Sequence, residues 1–126
     1  MSATEHVASK PKYLINCEDG ANNVERATIS FVLAVTASKT AEAAVFITSD
    51  AADICLRGRA HGMAAPGYEP LGDLVDAFVR NGGKIWLCPA CAKAKGIAAE
   101  QLIDGVEIAG APRTMAFLAS GAQLLA

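Results

Sequence analysis

No stretch of this sequence is long and apolar enough to span a membrane. The longest apolar run, residues 27–37, is bounded by Arg26 and Lys39 and falls well short of the ~20 residues a spanning helix needs. Basic charge is scarce as well. Eleven Lys and Arg stand against 13 Asp and Glu, for a net charge of −2. The clustered cationic face that nucleic acid or an anionic membrane would require is therefore missing, and the expected partners are small molecules or proteins. The first ten residues carry Glu5, His6 and Lys10 without the apolar segment of a secretory signal peptide. The cytoplasm is accordingly the expected location. Aromatic residues are few, at 6%, so the 52% hydrophobic content is mostly small aliphatic side chains, Ala above all. With a mean hydropathy of +0.30, the body of the chain has the apolar material that disordered segments lack.

The 126 residues suit one core and leave little room for a second. Residues 1–11 are polar, lack periodicity and end in Pro11, which reads as a flexible leader without chemistry. Residues 12–126 then form a single domain. Short apolar runs at 12–17, 43–47 and 84–87 are closed by turn-forming or capping residues and predict buried strands. Strands are also expected at 106–109 and 123–125. Helical spacing predicts helices over 24–38, with Asn22 or Asn23 as cap, and over 71–80, where Asn81-Gly82-Gly83 supplies the stop. Further helices are expected at 89–95 and 112–120, with shorter ones near 51–56 and 98–103. The intervening segment with Gly58, Gly62, Pro66, Gly67 and Pro70 reads as irregular.

This alternation predicts an α/β three-layer sandwich, with a mainly parallel sheet of about five strands and helices on both faces. In such sheets ligands and chemistry gather at the carboxyl ends of the strands. Those ends carry Cys17-Glu18-Asp19-Gly20, Thr48-Ser49-Asp50, Cys88-Pro89-Ala90-Cys91 and Ala109-Gly110-Ala111.

Four cysteines in a reducing compartment point to thiols, metal ligands or catalytic groups rather than to disulfide staples. Cys88 and Cys91 form C-x-x-C between a strand and a helix, with Pro89 at the first helical position, where its missing N–H does no harm. At such a helix start, unpaired N–H groups and nearby Lys93 and Lys95 favour the thiolate, which is the nucleophilic form. Cys17 ends a strand in the same way and is an accessory thiol or an ordinary core residue. Asp19, two residues on, shares that strand end. Cys55, between Ile54 and Leu56, reads as core. A zinc site is the competing use of the thiols. One C-x-x-C supplies only two of four ligands, so Cys17 and then His61 or an acidic residue would have to join Cys88 and Cys91. His61, among Arg57 and Arg59, is otherwise a titratable member of a solvated loop. No cofactor motif is present: Gly20-Ala21-Asn22-Asn23 matches neither the dinucleotide nor the P-loop pattern.

The segments GGKIWLCPACAKAKGI (residues 82–97) and GVEIAGAPRTMAFLASGAQLLA (residues 105–126) resemble the DsrE/DsrF-like sulfur-relay family. The likeness rests on a strand ending in a cysteine, a short helix and a Gly-hydrophobic pair, here Gly96-Ile97. It extends over roughly residues 12–126. The resemblance implies a compact α/β sandwich assembled as a homotrimer or homohexamer, without cofactor. It further implies that sulfur arrives as a persulfide on Cys88 and passes from donor to acceptor proteins, making the chain a sulfurtransferase or sulfur carrier. Cys91 departs from the pattern of many members, which carry one cysteine in this motif. It would resolve or tune the Cys88 persulfide. Two alternatives stand beside this reading: a C-x-x-C dithiol/disulfide oxidoreductase or redox sensor, and a non-enzymatic metal- or ligand-binding module.

Overall fold

The computed structural model describes residues 10–125; the leader therefore lies mostly outside the described residues. Five parallel strands, β1 (Lys12–Cys17), β2 (Glu42–Ile47), β3 (Lys84–Leu87), β4 (Val106–Ile108) and β5 (Gln123–Leu125), form one sheet in the order β4-β3-β2-β1-β5. The connections run through helices α1 (Val24–Ser38), α2 (Leu71–Arg80), α3 (Pro89–Ala94) and α4 (Ala111–Ala119). This is a three-layer α/β sandwich, with the chain reversing direction across the sheet at β1.

Strand alternation sorts the side chains into two cores. Ile15 and Cys17 of β1, Ala43, Val45 and Ile47 of β2, and Ile85 and Leu87 of β3 face α1 and α2 in the larger one. There Phe31 of α1 meets Phe78 of α2 edge to face, with ring centroids 6.0 Å apart. Leu14, Ala44 and Trp86 point to the opposite face, under Phe117 and Leu118 of α4.

Local chemistry sets the helix limits. Asn23 caps α1 by accepting the Arg26 N–H at 3.2 Å. Helices α2 and α3 end in the same double hydrogen-bond turn. In α2 the N–H groups of Gly82 and Gly83 return to Val79 and Phe78 at 3.0 and 2.9 Å; in α3 those of Gly96 and Ile97 return to Lys93 and Ala92 at 3.1 and 2.9 Å. The pivot residues Gly82 and Gly96 have φ +88° and +66°, a conformation glycine adopts without steric cost. The short helices expected near 51–56 and 98–103 are single 3-10 segments, Ser49–Cys55 and Ala99–Gln101, and a third, Ala60–Gly62, interrupts the loop before α2. Among the described residues no helix is long and apolar enough to cross a membrane.

Candidate functional site

Parallel pairing aligns the strand ends. Cys17 pairs with Ile47, Ile47 with Leu87 and Leu87 with Ile108. The ladder continues one residue further: Thr48 N–H donates to the Cys17 carbonyl at 3.1 Å, Cys88 N–H to Ile47 at 3.0 Å and Ala109 N–H to Leu87 at 3.1 Å. Cys88 is thus fixed between the β2 and β4 loops by the sheet itself.

Cys88 leaves the strand with φ −55° and ψ 125° and caps α3, where Pro89 opens the helix. Its carbonyl accepts the Ala92 N–H at 3.0 Å. Partial burial pushes the Cys88 thiol up, but the nearby Cys91 and Ala90 backbone N–H groups and the Cys91 side chain at the start of α3 outweigh that effect. The net result is a thiol held below its ordinary value of 9.0. The Cys91 sulfur in turn accepts the Ser49 N–H at 3.2 Å. Cys88, Pro89 and Ala90 form one wall of an open cleft of about 630 Å³, whose other wall is the β4–α4 turn from Ile108 to Arg113. At its rim the Arg113 guanidinium lies 5.8 Å above the Trp86 ring and pairs with both Glu107 oxygens at 3.1 and 3.2 Å.

The other cysteines are placed differently, and the parity of the strands is the reason. Cys17 shares the inward register of Ile15, is 1% exposed, and donates its thiol proton to the Asp19 carbonyl at 3.5 Å. Cys55 lies in the same core. Burial pushes each thiol up to about 12. Cys88 follows inward-facing Leu87 and so opens toward the cleft. Cys17 is therefore no neighbour on the cleft wall, and the three-cysteine metal set is not gathered. Among the described residues only His61, Asp73 and Asp76 bring metal-ligating atoms within 4.8 Å of one another.

His61 lies in the 3-10 segment before α2 and bonds Asp76 at 3.0 Å. Its ring packs against Gly72, where a Cβ would stand 2.5 Å from it. Asp19 is occupied by Asn22 at 2.8 Å and by Arg26 at 3.5 Å. Lys93 is exposed on α3, and Lys95 approaches Asp50 at 4.0 Å. Sequence reasoning gives Ser49 no role of its own within the Thr48-Ser49-Asp50 strand end and passes over Asp53 and Arg113. Arg113 follows the Ala109-Gly110-Ala111 end. Asp53 places Oδ2 3.2 Å from Ala21 N–H and 3.8 Å from Arg59, while its Oδ1 is buried without a partner.

A strand-end cysteine leading into a short helix on a five-stranded parallel sheet is the arrangement the sequence motif implied. The family model for the DsrE/DsrF-like family matches residues 12–126, and the chain belongs to that family. Membership implies, at the level of the family, a role of the sulfur-relay type. The chain is 35% identical over 107 residues to the uncharacterized protein MJ0760 of Methanocaldococcus jannaschii, a match covering 84% of this chain. It spans only 38% of that longer relative. The crystal structure of the ychN protein from E. coli superposes with a TM-score of 0.70 at 23% identity, covering 90% of this chain and 99% of ychN. The structure of MTH1491 from Methanobacterium thermoautotrophicum, a protein of unknown function, gives 0.67 at 14%, covering 91% and 97%. These two likenesses establish the fold.

Proposed function

We propose that this chain is a cytoplasmic sulfur-trafficking protein that carries sulfane sulfur as a persulfide on Cys88, with Cys91 as resolving or tuning thiol. The observation that carries the reading is the contrast among the cysteines. Cys88 alone has its thiol held below the ordinary value and opens on a cleft, whereas Cys17 and Cys55 are buried and protonated. The Cys88 thiolate attacks the sulfane sulfur of a donor, a new S–S bond forms, and the donor thiolate leaves with its electron pair. An acceptor thiolate then attacks the terminal sulfur, and Cys88 departs as thiolate. The groups that lower the Cys88 thiol assist both steps, because they favour the anion that attacks first and leaves last.

Family membership supports protein donors and acceptors, and the open cleft is broad enough to admit an acceptor's thiol. It also supports assembly into a homotrimer or homohexamer. A dithiol/disulfide oxidoreductase is favoured by one observation, the placement of Cys88 at the start of α3 with Cys91 in its first turn, where the Cys91 side chain is close enough to lower the Cys88 thiol.

Intact-mass measurement after incubation with inorganic polysulfide tests the proposal. Wild type is expected to gain sulfur atoms, and Cys88→Ser to gain none. Equal uptake by the two proteins, or none by wild type, refutes it. A redox titration that finds no reversible Cys88–Cys91 disulfide removes the oxidoreductase reading.

A further inference from the structure

Ser49 follows the carboxyl end of β2, and among the described residues it is the one non-glycine residue with a positive φ, +56°. Left-handed backbone is unfavourable for an L side chain and persists only where the surroundings over-determine it. Here they do. Thr48 N–H is tied to Cys17, and Ala51 N–H to Glu18 at 3.2 Å, while Asp50 faces Lys95 of the α3 end. The product of this turn is an N–H aimed at Cys91 Sγ, 3.2 Å away. Cys91 sits three residues after Cys88 at the start of α3 and is among the groups that lower the Cys88 thiol, so the Ser49 N–H acts on the sulfur that neighbours the nucleophile.

We propose that Ser49 is a positioning residue for the dithiol, its left-handed backbone presenting Cys91 Sγ to Cys88 so that Cys91 discharges a Cys88 persulfide within the same chain. The inference rests on the reading of Cys88 as sulfur carrier. In the step, Cys91 gives its proton to solvent and its sulfur attacks Cys88 Sγ. The Cys88–Cys91 S–S bond forms as the bond from Cys88 Sγ to the sulfane sulfur breaks. The sulfane sulfur leaves with the electron pair as hydrosulfide. It gains two electrons and the two cysteine sulfurs lose one each, so no outside oxidant is required, and a thiol reductant restores the dithiol. The Ser49 N–H acts on Cys91 as charge develops on its sulfur, when a hydrogen bond to that sulfur is strongest.

The test compares sulfide release from polysulfide-loaded wild type, Ser49→Gly, Ser49→Val and Cys91→Ser, with loading followed by intact mass. Glycine keeps both the N–H and the left-handed turn and is expected to match wild type. Valine is β-branched and disfavoured at positive φ, so release is expected to slow about tenfold with loading unchanged. Cys91→Ser is expected to hold its persulfide. Unreactive Cys17 and Cys55 certify that each variant is folded. Release from a folded valine variant as fast as from wild type overturns the role of Ser49. If valine exposes those thiols, deuterium exchange at the Ser49 amide decides. Exchange that accelerates about tenfold in Cys91→Ala upholds the Ser49–Cys91 bond, and exchange that is unchanged overturns it. Failure of wild type to load sulfur overturns the carrier reading itself, a result distinct from loading followed by release indifferent to residue 49.

Discussion

Two kinds of cysteine coexist in this chain, and the difference is one of solvation and donors rather than of neighbouring charge. Cys88 stands at a strand end where the Cys91 and Ala90 N–H groups and the Cys91 side chain lower its thiol, while Cys17 and Cys55 are each 1% exposed and burial holds their protons up to about pH 12. That contrast has a consequence for stability. Both buried thiols stay protonated in the native state above pH 9, whereas in the unfolded chain they ionise near their ordinary value of 9.0. The unfolded state therefore binds fewer protons in this window. The stability these thiols contribute is full below pH 9 and is lost as pH rises toward 12. The slope is about 1.4 kcal/mol per pH unit for each thiol. Cys88, held in the opposite direction, gains rather than loses stability as pH rises and does not share in this loss. Urea midpoints measured at pH 8, 9 and 10 are expected to fall steeply in wild type and to flatten in Cys17→Ala/Cys55→Ala. Parallel pH profiles for the two proteins would contradict this.

At the scale of elements, the α1–α2 seam over the inner sheet face holds the molecule's principal core. Phe31 and Phe78 are both fully buried there, and their edge-to-face contact adds to what burial alone contributes. Phe31→Ala is expected to cost about 3–5 kcal/mol, read from the urea midpoint at pH 7, and a loss under 1 kcal/mol would show that the seam repacks. These long elements were legible in the sequence. Residues 24–38 and 71–80 carry helical periodicity, the first opened by an Asn cap and the second closed by Asn81-Gly82-Gly83, and the observed limits are the same. The strands at 12–17 and 84–87 also match, and β2 begins one residue earlier than its apolar run. The segments at 49–55 and 99–101 were legible only as short helices, because spans of seven and three residues show too few turns to separate i+3 from i+4 bonding. The site was legible in part for a similar reason. C-x-x-C at a strand end is a local pattern, so Cys88 and Cys91 stood out. The inward turn of Cys17 follows from register between strands distant in sequence. The left-handed turn at Ser49 is imposed by tertiary contacts on a residue whose identity does not announce it.

At the scale of the whole molecule, α1 presents a problem of solvation. Its inner stripe, Ala27, Phe31 and Ala34, is fully buried, yet Ile29, Val32 and Leu33 on the outer side are 41%, 37% and 39% exposed. Residues 29, 32 and 33 are related by i, i+3 and i+4, so they form one surface ridge. A helix apolar on both sides is characteristic of a position covered on both sides. Ile29 and Leu33 also line a cavity of about 530 Å³ beside Ile15, Asn16, Glu18, Asp19 and Arg26, so the ridge borders a recess rather than a flat wall. A second copy of the chain covering this ridge would account for its composition, in keeping with the assembly proposed from family membership. Light scattering is accordingly expected to return a multiple of the 13.0 kDa chain mass. Val32→Asp with Leu33→Asp is expected to reduce that mass toward one chain, because each carboxylate would otherwise be buried unpaired in the contact. Cys88 lies across the sheet edge on the cleft formed with the β4–α4 turn, so its alkylation at pH 7.5 is expected to survive the double substitution. A wild-type mass of one chain would leave the α1 ridge as solvent-facing surface and remove the argument for assembly through it.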